Sequence, residues 1–146
     1  MDEAVWRGPF CMVRAAELGR RMEYLWVGVG GFLGANARYA LGVWLASRWG
    51  TAFPWSTFVI NVTGSLAIGL LLTLLTEKLA LDPAWRLLLV VGFLGGYTTF
   101  SSYTFEALAL GAEGAWLPAL GYVLGSNGVG LVAAYAGVLL ARAVWR

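Results

Sequence analysis

The strongest constraint in this chain is the succession of four long apolar runs, at residues 24–47, 55–76, 85–110 and 116–141. A helix rises about 1.5 Å per residue, so a bilayer core of about 30 Å needs about 20 apolar residues to cross it. Each run meets that length. The breaks between them, at 48–54, 77–83 and 111–114, carry proline, glycine or charge, which suits loops. Tryptophan and tyrosine gather near the run ends (Tyr24, Trp26, Trp49, Trp55, Trp85, Trp116, Trp145), where an aromatic belt meets lipid headgroups. With 60% hydrophobic residues and 12% charged ones, four such helices lack the polar faces that would solvate a bundle in water. The expectation is an all-α integral membrane protein: four transmembrane helices in one domain, residues 23–146.

Residues 1–22 are different. They hold Asp2, Glu3, Arg7, Arg14, Glu17, Arg20 and Arg21 and lack the apolar core of a signal peptide. They read as an unstructured or interfacial tail, and Met22 offers an alternative start. The single cysteine, Cys11, falls in this tail, which excludes a disulfide scaffold. The chain has no histidine, so Ser-His or Cys-His catalysis and His-based metal sites are excluded. No nucleophile–base set points to an enzyme. Between the runs and at the ends, Lys78, Arg86, Arg142 and Arg146 lie on one side and only Arg48 on the other, which predicts both termini in the cytoplasm.

The runs are not those of a simple anchor. The first holds Gly28, Gly30, Gly31, Gly34, Asn36 and Arg38. Gly30 and Gly34 form a GxxxG pair that permits close helix approach, and Gly121 and Gly125 repeat the spacing. An arginine at membrane depth costs about 2.5–3.5 kcal/mol on insertion scales. Arg38 therefore either snorkels or faces a wet vestibule, where it would concentrate anions. In the second run Asn61 and Ser65 share a helix face, with Gly64 beside them. The third run is the most informative. Gly95-Gly96-Tyr97-Thr98-Thr99-Phe100-Ser101-Ser102-Tyr103 is poor material for a straight helix, and a break here would expose backbone groups tolerated only if buried or facing water or an ion. Its carbonyls would suit a cation, and the N-terminus of a half-helix would favour an anion. Phe100 and Tyr103 are i, i+3 neighbours whose ring edges carry partial positive charge and can stabilise a small anion. In the fourth run Tyr122, Ser126 and Gly130 form one stripe at i, i+4 spacing, with Asn127 next to it.

Three blocks, Gly30–Tyr39, Asn61–Ser65 and Gly92–Ser101, stand in an order and composition that resemble the CrcB/Fluc family of fluoride channels over nearly all of residues 24–141. The resemblance implies an antiparallel, dual-topology dimer in the cytoplasmic (inner) membrane. It implies two fluoride pores and a structural sodium ion at the dimer centre. Carried over by motif, Gly95 and Thr98 would hold sodium through backbone carbonyls. Asn61 would line the pore, Phe100 and Tyr103 would form an aromatic box, and Thr99, Tyr122 and Ser126 would form a polar track. Arg38 would lie in the vestibule. Tyr103 stands where the family commonly has phenylalanine, and Gly130 where its hydroxyl stripe often continues. The loop charge bias also leaves open a paired, non-identical subunit in place of a homodimer.

The resemblance implies passive, fluoride-selective export that lowers cytoplasmic fluoride, with amide, hydroxyls and ring edges replacing the ion's water. Two alternatives stand beside it. A proton-coupled multidrug-type exporter would need a membrane carboxylate, for which Glu106 is the only acidic residue well inside a run. A pore-poor structural subunit would use the glycines for packing alone.

Overall fold

The computed structural model describes residues 20–79 and 81–144. The expected tail (but for its last three residues) and Cys11 lie outside them. Among the described residues the fold is helical throughout. Helix α1 spans Arg20–Trp49, and thus begins within the segment expected to be tail; α2 spans Trp55–Thr73 and continues in wider π-helical turns over Leu74–Lys78. Helix α3, Pro83–Arg86, runs on through a π-helical stretch, Leu87–Leu94, into α4, Gly95–Tyr97. After a two-residue gap come α5, Phe100–Ala112, and α6, Trp116–Val144.

Local chemistry sets these ends. Asp82 caps α3 by accepting from the Ala84 amide at 2.8 Å, and Pro83, which has no N–H to satisfy, opens the helix. After α5 the Ala115 amide donates back to the Leu110 carbonyl at 2.9 Å, with Gly114 at φ +79°. This is a Schellman turn, and the positive φ explains the glycine.

Among the described residues, three helices are long and apolar enough to cross a membrane: 55–77, 83–112 taken as one broken helix, and 116–144. No more than 22% of each apolar window is buried within the chain, so their apolar side chains point outward. That pattern suits lipid, not water. Helix α1 is 30 residues long but carries Glu23, Arg38 and Arg48 and is less apolar.

Glycines set how close the helices come. A Cβ at Gly69 would lie 2.0 Å from the Ala134 carbonyl oxygen, and one at Gly137 would lie 2.2 Å from that of Leu66. Helices α2 and α6 therefore cross backbone to backbone. The same holds between α1 and the third span, where a Cβ at Gly30 would meet Leu88 O at 2.1 Å and one at Gly34 would meet Phe93 O at 2.0 Å. Gly92 and Gly96 answer from the other side, against Val27 and Gly31. The Gly30/Gly34 expectation therefore matches the packing. The Gly121/Gly125 expectation does not: a Cβ at Gly121 meets open space, and one at Gly125 meets only the ring of Phe58 at 3.8 Å.

At the far end of α6, the Arg142 guanidinium grips Glu77, with Nε 3.1 Å from Oε2 and Nη2 2.5 Å from Oε1. This bidentate fork ties the last turn of α6 to the π-helical turn after α2. Both side chains are partly exposed, so solvent screens the pair and its contribution is small. Arg142→Met should lower the melting temperature in detergent by a few degrees and leave the fold intact. An unchanged melting curve would mean that the fork contributes nothing to stability.

Candidate functional site: a clamped helix break

Thr98 (φ −79°, ψ 159°) and Thr99 (φ −148°, ψ 120°) are extended, so the third span stops at Tyr97 and restarts at Phe100. Such a gap frees backbone donors and acceptors that lipid cannot satisfy. Asn61 supplies the match. Its Oδ1 accepts from the Thr99 amide at 2.9 Å, and its Nδ2 donates to the Thr99 carbonyl at 2.9 Å. One side-chain amide thus stands in for a peptide unit. Thr99 then caps α5 by accepting from the Ser102 amide at 3.2 Å and donates to the Ser102 hydroxyl at 3.0 Å.

The rest of the Asn61–Ser65 block fits the break as well. Gly64 makes room for Thr98, whose Cγ2 would sit 2.3 Å from a Cβ there. The Thr63 and Tyr97 hydroxyls pair at 2.8 Å. Ser65 donates to the Asn61 carbonyl at 2.8 Å, as i, i+4 spacing allows. Two blocks far apart in sequence are thus complementary surfaces, one a broken helix and the other its splint.

Beside the break lies an open cavity of about 430 Å³. It gathers Asn61, Thr99, Phe100, Tyr103 and Ser126 on its walls, together with Gly95 and Thr98. The Oγ of Ser126 is buried without a hydrogen-bond partner. Of the two hydrogens on Asn61 Nδ2, the clamp takes one. Among the described residues, no charged side chain lines the cavity. Its polar character comes from neutral N–H and O–H groups and from the rim of the Phe100 ring, which is 75% exposed.

An aromatic ladder leads away from this cavity. The rings of Phe100 and Tyr103 are 5.7 Å apart, those of Tyr103 and Tyr122 5.2 Å, and those of Tyr122 and Phe53 5.4 Å. Tyr122 is not on the cavity wall. It is 1% exposed and donates to Glu106 Oε2 at 2.8 Å, while Thr57 donates to Oε1 at 2.7 Å. Arg38 sits on α1, half-exposed and apart from the cavity.

Two residues near the site carry more than their sequence context announced. Glu106, read from the sequence as the carboxylate an exporter would require, has each oxygen hydrogen-bonded at the foot of the ladder. Asn127 donates to the Tyr103 hydroxyl at 2.8 Å. Both pairings join different helices, so no local spacing could have signalled them.

A family profile described as "CrcB-like protein, Camphor Resistance (CrcB)" matches residues 25–138. The chain is 54% identical over 121 residues to the fluoride-specific ion channel FluC of Solibacter usitatus, covering 83% of this chain and 99% of that one. It is 51% identical over 116 residues to the fluoride-specific ion channel FluC of Chloroflexus aurantiacus, covering 80% and 92%. The corresponding protein of Roseiflexus sp. is 47% identical over 121 residues, covering 83% and 98%. The matched region takes in most of α1, the splint, the broken span and α6 as far as Val138, and with these similarities the chain belongs to the CrcB family.

Proposed function

We propose that this chain is a fluoride-selective channel that lets fluoride leave the cytoplasm passively. The observation that carries the reading is the clamped break. It opens a cavity with neutral hydrogen-bond donors midway along the third span, in a chain akin to proteins named fluoride-specific ion channels. Fluoride holds its water tightly, so a pore must offer replacement donors. A fixed cation in the wall would bind the anion too deeply to release it. The spare N–H of Asn61, the O–H of Ser126 and the Phe100 ring edge supply weak partners, while the Thr99 donors are spent on holding the break. A negative interior drives the anion outward, by about 2.3 kcal/mol per 100 mV. Arg38 would draw anions toward the mouth from its half-exposed position on α1.

The finer assembly belongs to the same reading. Four helices cross the inner membrane, α1 included, since at about 1.5 Å per residue it is long enough to do so. Two copies pair antiparallel, each contributing to two pores. The residues that would hold a structural sodium are Gly95 and Thr98, through their carbonyls. They fit the task in two respects. Helix α4 ends here, leaving its last carbonyls without intrahelical partners, and Gly95 is exposed with open space where a Cβ would stand. A single chain offers fewer oxygens here than a hard cation takes, and a second copy would double them. The ion would add a local positive charge that holds the two breaks together.

The test is fluoride efflux from liposomes that hold only this chain. A fluoride electrode reads it, with valinomycin and a potassium gradient setting the voltage and chloride as control. Rapid fluoride-selective efflux is expected. Silence from folded protein, relieved only by adding a second homologous subunit, would replace the homodimer with a paired assembly. Silence in both cases overturns the reading.

A further inference from the structure

Asn127 reveals what the Tyr103 hydroxyl can do. Its Nδ2 lies 2.7 Å from the Val123 carbonyl oxygen and 2.8 Å from the Tyr103 hydroxyl. A carbonyl oxygen can only accept, so the amide atom beside Val123 must be the nitrogen, and the orientation of the side chain follows. That nitrogen has two hydrogens and no acceptor capacity. Both neighbours therefore accept from it. The Tyr103 oxygen is an acceptor in this pair, and its own proton must point elsewhere.

Among the described residues the Tyr103 hydroxyl has no second hydrogen-bond partner. The neighbouring rings, Phe100 and Tyr122, lie tilted against it at 46° and 58°, and the Tyr122 hydroxyl is committed to Glu106. Tyr103 is 8% exposed, yet it lines the cavity together with Asn127, Asn61 and Ser126. A buried hydroxyl with an unspent proton is costly unless something accepts it. On the cavity wall, it has a proton to offer.

We infer that Tyr103 donates its O–H directly to the permeating fluoride, and that Asn127 is the positioning residue that holds the phenol in this donor orientation. The inference rests on the fluoride-channel reading and deepens it. It adds a charge-assisted O–H···F⁻ bond to the ring-edge contact, and such bonds to anions are short and strong. Three groups then face the ion with hydrogens to spare: the second N–H of Asn61, the O–H of Ser126 and the O–H of Tyr103. The Asn127–Tyr103 bond spans α6 and α5, so the donor is set where the two helices meet.

The experiment is liposome efflux with wild type, Tyr103→Phe, Asn127→Leu and the double variant, each first checked for folding by gel filtration and melting. Tyr103→Phe keeps the ring and should slow fluoride efflux about tenfold, the factor one lost hydrogen bond carries. Asn127→Leu should slow it about threefold, because the phenol is freed to turn. In the Tyr103→Phe background Asn127→Leu should add nothing, since no hydroxyl is left to orient. A structural role for Asn127 would slow both backgrounds equally and overturn its positioning part. Conduction by Tyr103→Phe at the wild-type rate overturns the donor itself, whereas silence of the wild type overturns the channel reading and the inference with it. A second readout needs no flux. Infrared difference spectra of the purified wild type in fluoride against chloride should shift a tyrosine C–O band, and Tyr103→Phe should erase that shift. A shift that survives in Tyr103→Phe would place the bound ion on another tyrosine.

Discussion

Gly69→Leu is expected to leave no folded, membrane-extractable protein. The Cβ alone would stand 2.0 Å from the Ala134 carbonyl oxygen and 3.0 Å from its carbon. Those atoms are backbone of α6 and cannot swing aside as a side chain would. Relief requires α2 and α6 to separate, and that separation would also pull Gly137 from Leu66 and Gly69. Overpacking a fitted interior costs about 1–3 kcal/mol even where side chains can adjust, and a whole helix must move here. Against a total stability of about 5–15 kcal/mol, the loss is decisive. In membranes the effect is sharper, because helix association rests on close packing without a hydrophobic drive between helices. Gly42→Ala serves as the control. Its nearest neighbour would be the flexible Cδ1 of Ile60 at 3.9 Å, an ordinary contact. Membrane yield, monodispersity in detergent and the melting temperature check both. A monodisperse Gly69→Leu with a wild-type melting curve would show that α2 and α6 do not cross as closely as described.

That pair of glycines marks where the sequence stopped being readable. The last three spans are legible, because length and apolarity are properties of one segment at a time, whereas α1 carries more charge and is less apolar. The break was legible too, since Gly95-Gly96 followed by hydroxyl residues is a local departure from good helix chemistry. So was Gly30/Gly34, which carries the GxxxG spacing. Gly69 and Gly137 have no glycine four residues away, only the less specific small-residue spacing of Ser65, Gly69 and Thr73 and of Ala133, Gly137 and Ala141, and it is the crossing between α2 and α6 that requires them. Gly121 and Gly125 carry the spacing and pack against nothing backbone-like. A small-residue motif says that close approach is permitted, and only the partner helix decides whether it happens. The same distinction separates the site residues. Asn61 was conspicuous as a polar residue in an apolar run, but its engagement with Thr99 is a tertiary fact. Glu106 was conspicuous for the same reason and suggested an exporter's proton carrier. Its two hydroxyl donors, Thr57 and Tyr122, come from two other helices.

Asn61→Asp is expected to abolish fluoride conduction while leaving a folded protein. The substitution changes one group by a few atoms and reverses its electrostatics. Aspartate keeps an oxygen to accept the Thr99 amide, so half of the clamp survives. The other half faces the Thr99 carbonyl at 2.9 Å, where an N–H becomes an oxygen and two acceptors oppose each other. The cavity also loses the spare N–H and acquires a carboxylate on its wall. Two like charges about 4 Å apart repel by about 4 kcal/mol at an effective dielectric of about 20. At about 1.4 kcal/mol per decade that is about a thousandfold in rate. Asn61→Leu provides the contrast. It adds no charge but strands both Thr99 backbone groups, at about 1–3 kcal/mol each, so its first effect should be on yield and melting temperature. Liposome efflux measured beside melting curves separates the two. If Asn61→Asp carries fluoride at the wild-type rate, the ion does not pass Asn61, and the path must lie away from the clamped break. If it is silent and monodisperse while Asn61→Leu is poorly folded, one side chain serves two ends: its clamp keeps the helix open, and its remaining hydrogen meets the ion that passes through.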